Sequence, residues 1–203
     1  MGVANSNGLK TKRPAPRLDT QGECIVIYLR YIILHVPNHS RSAVRKDSTT
    51  KRKLTLTLVD EAATLACGNQ FAHVLHAGLV IYLHGDLGAG KTTWVRAVLQ
   101  GLGYAGRVKS PSYTLVERYE ASGLHLRHFD LYRFRDAEEW ETSGFRDEFD
   151  GQNICMVEWP QQAAGLLPAA DLVLSFEILN TGRKLVLGAL SASGEQCLND
   201  FSA

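Results

Sequence analysis

The chain is poor in cysteine, with four in 203 residues, and none of them forms a C-x-x-C pair. Cys24, Cys67, Cys155 and Cys197 therefore offer neither a zinc-ribbon spacing nor a dithiol redox motif. They are expected to be reduced, mostly buried thiols of a cytosolic protein. No apolar run approaches the roughly 18 residues that a membrane span requires. The apolar segment from Cys24 to Val36 is interrupted by Arg30 and lacks the small-residue cleavage site of a secretory signal. No internal repeat is visible. A large charge of one sign is missing as well: the net charge is +1. That balance hides an asymmetry, because residues 1–53 carry 11 Lys/Arg against 3 Asp/Glu and residues 54–203 carry 11 against 18. The acidic larger part argues against broad independent binding to nucleic acid. Residues 1–53 are expected to be a basic leader, disordered or not native to the domain, as from a start codon assigned too far upstream. Residues 54–203 are expected to form the domain.

What is present is a phosphate cradle. Gly85-Asp86-Leu87-Gly88-Ala89-Gly90-Lys91-Thr92-Thr93 fits G-x-x-x-x-G-K-[ST]. The glycines let the backbone curl with its N–H groups inward, where they meet phosphate oxygens. Lys91 would reach the β- and γ-phosphates and the Thr92 hydroxyl would hold Mg²⁺. The flanks suit such a loop. Leu79 to Leu83 is a continuous apolar run that reads as a buried parallel strand. Trp94, Val95, Val98, Leu99 and Leu102 then recur at helical spacing, with Gly101 and Gly103 as a stop. A helix starting there would add its positive N-terminal end to the same spot.

Elsewhere, Leu54, Leu56 and Leu58 alternate with threonines as in a half-buried strand. Asp60 caps an expected helix running to Ala77. Strands are expected within 108–119 and over 124–134, and a helix from an Asp136 cap to about Phe149. Ile154 to Val157 reads as a second buried strand ending in Glu158, and late strands are expected over 172–178 and 184–191. The sum is a compact α/β domain with a partly parallel sheet.

A P-loop needs a carboxylate to complete a Mg²⁺ shell or polarise water. Glu158 ends the expected strand from Ile154, and Asp130 closes the stretch Leu124 to Phe129 within the longer segment, positions where acids meet the crevice at the carboxyl edge of such a sheet. Ser110-Pro111-Ser112-Tyr113-Thr114 is hydroxyl-rich, as segments that sense a γ-phosphate are; it also reads as a turn into a strand. Arg133 and Arg135 could neutralise phosphate or lie idle on the surface. Trp140 and Trp159 read as core or rim aromatics. His125 and His128 have no companions for a metal site and are assigned structural roles.

Four motifs in order strongly resemble the TsaE (YjeE-like) family: the P-loop, Ser110 to Thr114, His128-Phe129-Asp130-Leu131-Tyr132-Arg133, and Val157-Glu158-Trp159-Pro160. The similarity runs from about Leu54 onward. It implies a P-loop NTPase fold, a compact three-layer domain with a mixed, partly parallel sheet. It also implies a cytoplasmic ATPase, slow alone, in the bacterial machinery that makes threonylcarbamoyladenosine beside the tRNA anticodon. The expected partners are the tRNA-modifying transferase subunit and its inactive-homologue partner subunit, with tRNA met only indirectly and no membrane. The expected cofactors are ATP/ADP and Mg²⁺. On this resemblance Asp130, Glu158 and Thr93 are catalytic, and Thr92 and Glu158 hold the metal. Nucleotide contacts fall to Glu61, Gly85, Asp86, Leu87, Gly88, Ala89, Gly90, Lys91, Thr92, Thr93, Gly182 and Arg183, with the 60–61 and 182–183 pairs on the adenine side. Ser112 stands where the family often has threonine and keeps the hydroxyl. Three alternatives stay open: a small-molecule or nucleotide kinase, a nucleotide-bound scaffold, and a GTPase-type switch, the last disfavoured because no Asn-Lys-x-Asp tetrapeptide is present.

Overall fold

The structure is a computed structural model and describes residues 52–202. The expectation for a leader falls on residues outside that range, apart from the last two. Strand β1 (Arg52–Leu58) leads into helix α1 (Glu61–Ala72), and β2 (Val80–His84) leads through the P-loop into α2 (Lys91–Gly101). A hairpin of β3 (Val116–Ala121) and β4 (Leu124–Asp130) follows, then α3 (Ala137–Thr142) and a 3-10 turn (Phe145–Glu148). The chain continues through β5 (Ile154–Glu158), a 3-10 turn (Pro160–Ala163), β6 (Leu172–Ile178), β7 (Arg183–Ala189) and α4 (Ala192–Phe201).

The seven strands form one mixed sheet in the order β1-β7-β6-β2-β5-β4-β3. Its centre, β6-β2-β5-β4, is parallel, and antiparallel pairs close both sides. Strand alternation sorts the core onto two faces. On one face α1, α2 and α4 converge, with Phe71 5.5 Å from Trp94 and 5.2 Å from Phe201, and Trp94 5.9 Å from Phe176. On the other, Phe129, Cys155 and Val157 meet α3 and the 3-10 turns through Trp140, Phe145 and Phe149. The arrangement is the expected three-layer α/β domain.

Local chemistry sets the boundaries. Asp60 caps α1 by accepting from Ala63 N at 2.7 Å. That helix ends at Ala72 rather than Ala77, because the next residues tighten into i→i+3 bonds, such as Val74 N to Phe71 O. Strand β4 ends at Asp130, not Phe134: the Asp130 side chain accepts from Tyr132 N at 3.1 Å and turns the chain. The helix expected to reach Phe149 stops at Thr142 and the chain turns at Gly144, which sits at φ 67°. Helix α4 was not expected from the sequence. Ser191 caps it, accepting from Gly194 N at 3.1 Å, and so ends β7 early.

Trp140 is fully buried, with ring centres of Phe145 at 5.5 Å and of Phe134 and Phe149 at 6.0 Å. Trp140→Ala should therefore cost about 3–5 kcal/mol of stability, read as a lowered urea midpoint with an unchanged slope.

Candidate active site

Register brings three strand ends together. Leu83 of β2 pairs with Glu158 of β5, and Glu158 pairs with Asp130 of β4. The P-loop leaves β2 at this edge, and α2 returns over the face toward which His128, Asp130, Met156 and Glu158 alternate. A cavity of about 240 Å³ opens there, lined by Leu87, Gly88, Gly90, Lys91, Thr92, Thr93, Ser110, Ser112, Asp130, Tyr132, Glu158 and Trp159.

Gly90 opens α2 at φ 103°, a conformation that side chains rarely adopt. A Cβ there would also lie 1.5 Å from Arg183 Nη1. Arg183 reaches across from β7 to donate to Ala89 O at 3.1 Å, bracing the loop from behind. Lys91 is 3% exposed, and its Nζ donates to Gly85 O at 2.7 Å and Asp86 O at 2.9 Å. The same ammonium stands 4.2 Å over the Trp159 ring, a cation–π contact. Burial pulls the Lys91 pKa down, and the carboxylates of Glu158, Asp130 and Asp86 pull it back up. His84, where β2 enters the loop, is likewise lowered, first by burial and then by Lys91. Trp159 itself holds a left-handed backbone at φ 58°, the kind of strain that collects at functional sites.

Glu158 is the hub. Its Oε1 accepts from the Thr92 hydroxyl at 2.8 Å and lies 2.9 Å from His128 Nε2. Asp130 governs the neighbouring loop: its Oδ2 accepts from Ser110 and, at 3.0 Å, from Ser112. This loop leaves Tyr113 84% exposed, with Arg133 stacked 4.5 Å over its ring. The donor set of Thr92 hydroxyl and Glu158 carboxylate is all hard oxygen, which suits Mg²⁺, an ion that takes one or two carboxylates and completes its shell with phosphate and water.

Of the residues expected at the site, Lys91, Thr92, Thr93, Asp130 and Glu158 share the cavity with Leu87, Gly88 and Gly90. Gly85, Asp86 and Ala89 belong to the same loop, and Arg183 touches its back. Glu61 and Gly182 do not line this cavity. Glu61 is exposed at the start of α1, and Gly182 packs against Leu58 and Val59 in the connection before that helix. His128 was read as structural, yet it contacts Glu158. The signal was its place two residues before Asp130, on the same face of a strand. Cys67, Cys155 and Cys197 are buried and their thiols are pushed up to about 12, so they stay protonated.

The family model described as "Threonylcarbamoyl adenosine biosynthesis protein TsaE" matches residues 58–185, a span that contains every lining residue of the cavity. The chain belongs to the TsaE family. A Haemophilus influenzae protein named tRNA threonylcarbamoyladenosine biosynthesis protein TsaE is 43% identical over 154 residues, 73% of this chain and 98% of that one. A Bacillus subtilis protein of the same name is 38% identical over 121 residues, covering 60% and 75%. Among solved structures, Bacillus subtilis YdiB superposes with a TM-score of 0.62 at 29% identity, covering 74% of this chain and 95% of its own. The TsaE fold and the cavity's residues therefore lie within one matched region.

Proposed function

We propose that this chain is the ATP-binding and ATP-hydrolysing component of the machinery that makes threonylcarbamoyladenosine in tRNA. It acts on the transferase subunit and its inactive-homologue partner rather than forming the bond itself. The observation that carries this reading is the meeting of Lys91, Thr92, Asp130 and Glu158 in one cavity at the carboxyl edge of the parallel strands. The names of the relatives supply the pathway.

The P-loop N–H groups and Lys91 would bind the triphosphate, with Arg183 keeping the loop in shape. Thr92 and Glu158 would hold Mg²⁺, which neutralises charge on the departing phosphates. Asp130 ties Ser110 and Ser112 to the same edge, so loop 110–114 would rearrange as the γ-phosphate comes and goes and present its exposed Tyr113 to the partner complex. Glu61, Gly182 and Arg183 would meet the adenine side, a role that rests on the family resemblance. The acidic balance of residues 54–203 favours reaching tRNA through partners. Among the described residues no helix is long and apolar enough to cross a membrane, and a cytoplasmic site of action fits the three buried thiols. Residues 1–51 are read as lying outside the ATPase domain, whereas Arg52 and Lys53, assigned to the leader from the sequence, belong to β1 and pair with Ala189 and Gly188 of β7.

Asp130→Asn, which keeps a side-chain oxygen for the Tyr132 amide and the serine hydroxyls, should lower turnover on the order of 100-fold while thermal melting stays near wild type; a large fall in melting temperature would make Asp130 a structural residue instead. The function is tested by reconstituting tRNA modification with the purified transferase and its partner. Sustained turnover that needs this chain and ATP, and fails with Glu158→Ala despite intact nucleotide binding, supports the proposal and excludes a passive scaffold. Phosphate appearing on a small acceptor instead of in solution would favour a kinase. A kinase would need an arginine-rich lid, for which Arg127, Arg133 and Arg135 are the candidates, and against that reading Arg127 is held 2.6 Å from Glu148 on the opposite sheet face.

A further inference from the structure

We propose that His128 is a positioning residue for Glu158. It holds the carboxylate so that Oε1 receives the Thr92 hydroxyl proton and the hydroxyl oxygen is left for the metal. This rests on the Mg²⁺–nucleotide reading of the site.

His128 and Asp130 alternate onto the same face of β4, opposite Met156 and Glu158 of β5. The His128 side chain is completely buried and that of Glu158 is 4% exposed, so no bulk water orients either one. Two donors then fall on one oxygen: Thr92 Oγ1 at 2.8 Å and His128 Nε2 at 2.9 Å. A nitrogen facing a carboxylate oxygen carries the proton, so the ring is an Nε2–H donor. Nδ1 is left buried without a partner among the described residues. An apolar side chain of similar size would fill this space with no stranded nitrogen. What histidine adds is the Nε2–H, and its sole acceptor among the described residues is the group proposed to orient the metal-binding threonine. A partner placed behind a metal-site carboxylate in this way fixes its geometry and thereby tunes affinity for the ion.

The test is calorimetric binding of ADP to the full-length chain, with Mg²⁺ and with EDTA. Wild type should bind more tightly with Mg²⁺. His128→Leu should lose about tenfold or more of that enhancement while its affinity in EDTA is unchanged. His128→Gln, whose amide nitrogen reaches the place of Nε2, should recover most of the loss. An unaltered enhancement in His128→Leu, or a glutamine variant no better than leucine, would overturn the proposal. Absence of any Mg²⁺ effect in wild type would overturn the reading of the site and this role with it, whereas an effect that survives in His128→Leu sinks only the role. Should the variants not fold, nitrogen-15 spectra of the wild-type imidazole decide: an Nε2–H tautomer supports the role, and an Nδ1–H tautomer refutes it.

Discussion

Lys91→Ala should abolish tight triphosphate binding, lowering affinity by at least about 100-fold, or roughly 3 kcal/mol, as expected for losing charged hydrogen bonds to phosphate. Titration calorimetry with a non-hydrolysable ATP analogue measures this directly, and unchanged affinity would remove Lys91 from the site. The loss should not come from unfolding. Burial holds the Lys91 pKa below its usual 10.5, so the folded state carries a charge it would rather shed. A depressed lysine pKa means that the unfolded chain binds more protons, and the native state gains stability as pH rises from the folded pKa towards 10.5. Lys91→Met keeps the stem against Trp159 and removes that charge. In the absence of nucleotide its melting temperature should match or exceed that of wild type near neutrality, and the gap should shrink with rising pH. A gap that widens towards alkaline pH would contradict this account of the buried ammonium.

Glu158→Gln should reduce ATP turnover on the order of 100- to 1,000-fold while nucleotide still binds in the presence of EDTA. The substitution preserves shape and can keep a contact with Thr92, but it removes the carboxylate charge at the hub of the site. Glu158 is 3% exposed and lies against both Thr92 and His128, so the lost charge falls at the point where these side chains meet. Single-turnover phosphate release separates the outcomes. A slow chemical step with retained binding supports the metal and catalytic role, whereas wild-type turnover would shift that role to Asp130.

The central strand–loop–helix unit was legible because each signal was local. A buried apolar run, a glycine loop and an amphipathic segment are contiguous from Leu79 to Leu102. Glu158 was readable as the acid closing an uninterrupted buried strand, and Asp130 by the same rule. Signals that depend on distant partners were not readable. Arg183 braces Ala89 across 94 residues of sequence, a contact that only the β7 register creates. Helix α4 escaped because Ala192 to Phe201 is short and mostly polar, and its one apolar face buries only Gly194, Cys197 and Leu198. The helix after Asp136 was drawn too long because its apolar residues continue beyond Gly144, where the backbone turns. The contact of His128 with Glu158 was not foreseen, because it depends on the pairing of β4 with β5 and on the alternation of His128 with Asp130 along β4.

Hydrolysis of ATP by this cavity in service of a tRNA-modifying partner is tested by phosphate release from the full-length chain, alone and with the purified transferase and its partner subunit. Release should be slow alone, rise clearly with the complex, and be lost in both conditions in Lys91→Ala. Equal rates with and without the complex, or stimulation that survives Lys91→Ala, would contradict this function.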